Sequence, residues 1–204
     1  QYCHNRDTWS TKQNQLMTTS QVLEDYQKYS HFYKKGGITV SGGEPLLQTP
    51  FLIELFKAAK EKGIHTCLDT SAACFTPKNQ SELKLLMQYT DLVLLDLKHI
   101  DEQKHIKLTG SSNKKVLEFA RYLDELKVKV AIRHVLVPTI SDDNEDVRKL
   151  RSFLDTLTNV ISIEVLPYHT KGISKWKELG FEYPLLEIKE PTEESIENVE
   201  QIGR

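Results

Sequence analysis

Ile38-Thr39-Val40-Ser41-Gly42-Gly43-Glu44-Pro45 reads as a short strand that stops at two glycines and presents one carboxylate. The proline bars the strand from continuing, and an apolar pattern of helical period follows. Glycines at the C-terminal end of a strand let the backbone approach a ligand closely. In a parallel α/β sheet, ligands sit at that end. An ordinary strand-to-helix turn has the same outline. What sets this one apart is that four later strand ends also carry polar groups.

The next strand pattern is His65-Thr66-Cys67-Leu68-Asp69-Thr70-Ser71, which ends in polar residues. Leu92-Val93-Leu94-Leu95-Asp96-Leu97-Lys98 is nearly all apolar until its charged end, as expected of a strand covered on both faces. Residues 128–137 form the strongest strand pattern, with Arg133 in the middle. Alternation places Arg133 on the face of Val135 and Val137, and an unpaired buried charge there would be very costly. Residues 161–166 form the last strand, followed by Pro167-Tyr168-His169.

Helical patterns fill the gaps. Thr18-Thr19-Ser20 offers caps before Val22, Leu23, Tyr26 and Tyr29, with Gly36-Gly37 as the expected stop. Residues 51–62 put Phe51, Leu52, Leu55, Phe56 and Ala59 on one face, ahead of Gly63. Further faces are Leu83, Leu86 and Met87; Val116, Phe119, Ala120, Leu123 and Leu126; Val147, Leu150, Phe153 and Leu154; and Ile196, Val199 and Ile202. Strand starts fall near residues 38, 65, 92, 129 and 162, the spacing of repeated βα units of roughly 30 residues each. The fold class is therefore α/β. Five units cannot close an eight-stranded barrel, so the sheet is a partial barrel or an open wound sheet.

A chain of 204 residues is expected to form one domain. A net charge of −2 offers no basic surplus for nucleic acid or an anionic membrane, so neither is expected as a partner. No apolar run approaches the ~20 residues of a membrane span. With no leader pattern, the expected location is cytoplasmic. Three cysteines, Cys3, Cys67 and Cys74, do not make a disulfide framework. Cys67 lies inside a strand and reads as core, and Cys74 has no motif of its own.

In a sheet of parallel strands all C-terminal ends meet on one rim. Glu44, Asp69, Thr70, Asp96, Lys98 and His169 would ring one mouth, with Arg133 pointing in below. This composition suits a zwitterion: carboxylates and backbone groups for an ammonium, Lys98 and Arg133 for a carboxylate.

Six motifs in order then carry a resemblance. They are Tyr2-Cys3-His4-Asn5, Ser41-Gly42-Gly43-Glu44-Pro45, His65-Thr66-Cys67-Leu68-Asp69-Thr70, Leu95-Asp96-Leu97-Lys98, the stretch from Ile132-Arg133 through Val137-Pro138 to Ser141-Asp142-Asp143, and Leu166-Pro167-Tyr168-His169. Together they closely resemble the pyruvate formate-lyase activating enzymes, a family of radical S-adenosylmethionine (SAM) enzymes. The resemblance implies a partial (β/α)6 TIM-like barrel. It implies a [4Fe–4S] cluster held by three cysteines of a C-x3-C-x2-C motif, and SAM bound to its open iron. Reductive cleavage of SAM would yield a 5′-deoxyadenosyl radical, which takes a hydrogen atom from a glycine loop of pyruvate formate-lyase. A flavodoxin- or ferredoxin-like protein would supply the electron.

Carried over residue by residue, Cys3 matches the third cluster cysteine, and His4 and Asn5 match positions beside the adenosine and the cluster. Gly42, Gly43 and Glu44 match the loop that receives the methionine amino group. Lys98 and Arg133 match residues at its carboxylate, and His169 matches a histidine near the ribose. Asp69, Thr70 and Asp96 match positions that also help to hold a monovalent cation. The catalytic set implied is Cys3, Glu44, Lys98 and His169.

This sequence departs from the family in two ways. The first two cluster cysteines and the first barrel strand are not in it, so residues 1–204 are expected to be an N-terminally truncated domain, inactive alone because one thiolate does not hold a [4Fe–4S] cluster. After Asp69-Thr70 the family usually has Asn-Gly, where Ser71-Ala72 stands here. Two rival readings are an activator of another glycyl radical enzyme, or some other radical SAM enzyme, and a binding domain without a cluster. A phosphate-binding barrel is disfavoured, because no Gly-rich loop opens a helix in the phosphate-cradling pattern.

Overall fold

Five parallel strands lie side by side in chain order. They are β1 (Gly37–Val40), β2 (His65–Thr70), β3 (Leu92–Asp96), β4 (Val130–Leu136) and β5 (Val160–Pro167). The computed structural model describes Cys3, Thr8 and residues 15–33 and 36–203. Helices α1 (Thr19–Tyr29), α2 (Thr49–Glu61), α3 (Gln80–Met87), α4 (Glu102–Thr109), α5 (Lys114–Glu125), α6 (Asn144–Leu154), α7 (Ile173–Glu178) and α8 (Glu193–Gly203) complete the fold.

Sequential strand order decides between a partial barrel and a wound sheet. Parallel crossovers share one hand, so a sheet that never reverses its order keeps its helices on one face. The burial pattern agrees. Leu68, Val93, Leu95 and Ile132 are fully buried in one core with the inward faces of α2, α3 and α5, among them Leu52, Phe56, Leu83 and Phe119. On the other face Thr39, Ser162 and Glu164 are exposed, and Asp69, Leu94, Asp96 and Arg133 are half-buried. The expectation that β3 is covered on both faces is therefore corrected: its burial alternates, and among the described residues the helices pack on its fully buried face. The α/β class and the open partial barrel hold.

Local chemistry sets the boundaries. Thr18 and Gln21 form a capping box that starts α1. That helix ends at Tyr29 and a 3-10 turn follows, so Gly36-Gly37 is not its stop. Gly37 serves the sheet instead. A Cβ there would run into the backbone carbonyl oxygen of His65 and stand 2.7 Å from its carbon. Helices α4 and α7 have no counterpart in the sequence reading. α4 buries only His105 and Leu108, and α7 is a single six-residue stretch. A second apolar cluster at the strand ends gathers Leu108, Val137, Tyr168, Trp176, Tyr183 and Leu185. A third, around Leu136, Val147 and Val199, seats α8.

Candidate ligand site at the strand ends

The concave face carries a chain of charges that alternation and register bring together. Asp96 and Arg133 are register partners on β3 and β4, and Asp69 pairs with Leu94, two residues before Asp96. All three side chains therefore share one face. Arg133 Nη2 donates to Asp69 Oδ1 at 2.8 Å and to Asp96 Oδ1 at 3.1 Å, and Nε donates to Asp96 Oδ1 at 3.2 Å. The other Asp96 oxygen receives Lys98 Nζ at 2.7 Å. Ser41, at the end of β1, donates to Asp69 Oδ2 at 3.1 Å.

The Arg133 side chain is 22% exposed, and no described residue meets its Nη1 edge. Two N–H groups of a charged fork thus remain for a ligand. Burial pushes the Asp69 carboxyl above its usual range, against the pull of Arg133 and with the push of Asp96.

Glu44 sits in a different arrangement. Gly42 has φ +129°, a conformation that only glycine adopts readily, and it turns the chain so that Glu44 faces the end of β2. Oε1 accepts from the Thr70 hydroxyl at 2.5 Å and from Leu46 N–H at 3.1 Å, where Glu44 caps the 3-10 turn Pro45–Gln48. Oε2 accepts from Ser71 N–H at 3.1 Å and its hydroxyl at 2.6 Å. Each oxygen therefore has two donors, and the carboxylate pins the β1 loop to the end of β2.

The expected residues do not all converge. Asp69, Asp96, Lys98 and Arg133 form one network, and Gly42, Gly43, Glu44 and Thr70 form the neighbouring loop. Thr70 is buried with its hydroxyl turned to Glu44, away from the two aspartates. With Arg133 bridging Asp69 and Asp96, these oxygens are engaged within the network, and nothing among the described residues supports the monovalent-cation expectation. Among the described residues no group of three or more His, Cys, Asp or Glu side chains could hold a metal ion.

His169 follows β5 at the same end of the sheet and is half-buried. His4 and Asn5 lie outside the described residues. Cys3 is held from the far end of the chain, since Trp176 Nε1 donates to its carbonyl oxygen at 2.7 Å. Thr8 lies against the glycine loop, its carbonyl oxygen 3.1 Å from where a Cβ on Gly43 would stand. Cys3 thus lies beside Trp176, and Thr8 beside the loop that follows β1.

Ser41, Ser71 and Trp176 escaped the sequence reading of the site. Ser71 left one trace, as a departure from the family pattern. Glu164, exposed on β5 as the register partner of Arg133, left none.

Comparison with known proteins agrees with this geometry. The model of the Radical SAM superfamily matches residues 1–151. A pyruvate formate-lyase-activating enzyme of Staphylococcus epidermidis is 50% identical over 96% of this chain and 80% of its own length. The protein of that name from Listeria monocytogenes is 48% identical over 96% of this chain and 81% of its own. The crystal structure of a domain of pyruvate-formate lyase-activating enzyme from Bacteroides vulgatus superposes with a TM-score of 0.67 at 28% identity, over 83% of this chain and 93% of that one. A radical SAM methyltransferase from Sphaerobacter thermophilus shares the fold, with a TM-score of 0.65 at 16% identity over 92% of this chain and 55% of that one. This chain belongs to the radical SAM superfamily and, within it, to the family of pyruvate formate-lyase-activating enzymes.

Proposed function

We propose that the concave strand-end site binds SAM and serves the activation of pyruvate formate-lyase by formation of a glycyl radical on it. The observation that carries this reading is the Asp69–Arg133–Asp96–Lys98 network, a charged fork held by two acids with its Nη1 edge open. Such a fork is preorganised for a carboxylate, and little side-chain freedom is left to lose on binding. Arg133 and Lys98 would hold the methionyl carboxylate. The backbone of Ser41, Gly42 and Gly43 would take the amino group, with Glu44 holding that loop in shape. His169 would stand toward the ribose, and His4 and Asn5 toward the adenosine. Bound SAM would supply one-electron chemistry at its sulfonium, with methionine and 5′-deoxyadenosine as the products and a glycine of the partner as the hydrogen donor.

The cluster is a different matter. Three thiolates would hold a [4Fe–4S] centre with one open iron, and of the three cysteines in this chain Cys3 is the one proposed for that role. Cys67 is buried in β2 and Cys74 sits against the main core, whereas the Cys3 carbonyl is anchored at Trp176 of the second cluster. Burial raises the Cys67 thiol and pushes that of Cys74 up to about 11, so neither is a ready thiolate. The residues of this chain do not by themselves fit the cluster.

The test is the protein carrying all three cluster cysteines and loaded with the cluster, the holoenzyme, with SAM, a one-electron donor of flavodoxin or ferredoxin type, and pyruvate formate-lyase. A glycyl radical spectrum on the partner with release of 5′-deoxyadenosine is expected. Release without radical transfer would move the proposal to another glycyl radical enzyme, and no release would refute it.

A further inference from the structure

We infer that His99 is a positioning residue for Lys98, tying the exit of β3 to the loop after β4 so that the ammonium and the Arg133 guanidinium keep a fixed spacing. The inference rests on the reading of Lys98 and Arg133 as the SAM carboxylate site. Lys98 lies between two residues that the structure pins. Leu97 N–H donates to Arg133 O at 3.0 Å, and Leu97 O meets His134 Nδ1 at 2.9 Å. On the other side, the His99 ring is 1% exposed and bridges two segments. Asp101 N–H donates to Nδ1 at 3.0 Å, which places the ring proton on Nε2. Nε2–H then donates to Ile140 O at 3.1 Å, across to the loop that follows β4.

One level lower the His134 ring stands between Leu97 O and Ser141 O, with Nε2 3.2 Å from the latter, and a neutral ring donates to one of the two. Ser141 in turn donates its hydroxyl to Val135 O at 2.7 Å and accepts Val137 N–H at 2.8 Å. The carbonyls of His99 and Ile100 accept the Asn113 side-chain amide at 3.1 and 2.6 Å. Asp146 lies 3.7 Å from His99 Nε2 and is itself held by Lys104.

Residues 97 to 101 therefore have partners on β4, on the loop after it and on the start of α5, while Lys98 alone in that stretch reaches into the concave face. A core built only for stability would fill this place with apolar side chains, since a buried imidazole that bridges two backbone segments loses hydration for little net gain. What this arrangement adds is a direction. It fixes the exit of β3, which carries Lys98, against the loop after β4, the strand that carries Arg133.

The test is SAM affinity by calorimetry in the holoenzyme, for H99N, H99F, H99Q, K98A and H99N/K98A. H99N keeps the acceptor for Asp101 N–H but cannot reach Ile140 O, H99F keeps the ring volume without either bond, and whichever of the two folds decides. H99Q can still reach Ile140 O. The cross-loop variants should bind SAM about tenfold more weakly, and H99Q should stay within about threefold of the parent protein. H99N/K98A should bind no more weakly than K98A alone, because the histidine acts through the lysine. Cross-loop variants with parental affinity, or a double variant that loses both factors in full, would overturn the inference. Parental affinity in K98A would instead overturn the reading of Lys98 beneath it, and the inference with it.

Discussion

Arg133 is the residue on which the site turns, and it was legible because it interrupts an apolar strand where a charge needs a reason. Two aspartates supply the reason, and they lie far apart in sequence, at positions 69 and 96. Replacing the guanidinium by an apolar chain of similar length leaves two half-buried carboxylates facing each other. Arg133→Met is expected to lower stability by about 2 kcal/mol, a surface-discounted fraction of the cost of breaking a buried pair. Adding Asp69→Asn should recover most of that loss, and urea unfolding of both variants checks it.

The rim loop after β4 offers a second prediction at this scale. Thr139 is exposed and β-branched, yet has φ +65°. Thr139→Gly should raise stability by about 1 kcal/mol in the same assay, since the left-handed conformation costs a branched residue and glycine little. Ser71, His99 and Trp176 were not legible. Their roles depend on partners from other elements, and a serine after a strand or a histidine after a lysine has no periodic signature. The Trp176 hydrogen bond spans 173 residues of sequence.

Among the elements, the five strands and most helices could be read from periodicity, because each buries one regular face against the same core. The reading failed where that face is small. α4 and α7 are short and mostly polar, and they are built by packing at the strand ends rather than by their own pattern. It also failed where an apolar run was taken for two-sided burial. Leu92 and Leu94 face the concave side, which is part of the site and not a second core. Gly37 was assigned to the end of a helix, whereas its place is the close approach of β1 to β2. Gly37→Ala is therefore expected to cost about 3 kcal/mol or more, because backbone rather than a flexible side chain must yield. Thermal unfolding would show it as a drop in Tm, and a change of less than about 1 kcal/mol would contradict the geometry.

At the scale of the whole molecule, three histidines among the described residues are buried as neutral rings. Burial lowers the pKa of His99, His105 and His134 from 6.5, against the pull of their carbonyl partners and, at His99, of Asp146. In the unfolded chain these rings take up protons near pH 6.5, while in the fold they do so only at lower pH. Below about pH 6.5 the unfolded state therefore binds more protons, and stability falls as the pH drops toward the folded-state values. Each ring contributes up to about 1.4 kcal/mol per pH unit within that window. Urea midpoints at pH 7.5 and 5.5 should differ clearly, and His105→Gln should shrink the difference. No helix among the described residues is long and apolar enough to cross a membrane. The membership of the whole chain in its family was legible from six short motifs in order, most of them at strand ends, where polar residues break the apolar pattern of the core.

The most direct test separates the guanidinium's work in the fold from its work on the ligand. SAM affinity should be measured by calorimetry in the holoenzyme and in its R133M/D69N form, whose stability is expected to be close to the parent's. The account predicts that the stable double variant binds SAM about 10- to 100-fold more weakly, the scale of one lost charge-assisted recognition of a carboxylate. Parental affinity in that variant would show that the network only braces the sheet, and that SAM binds elsewhere.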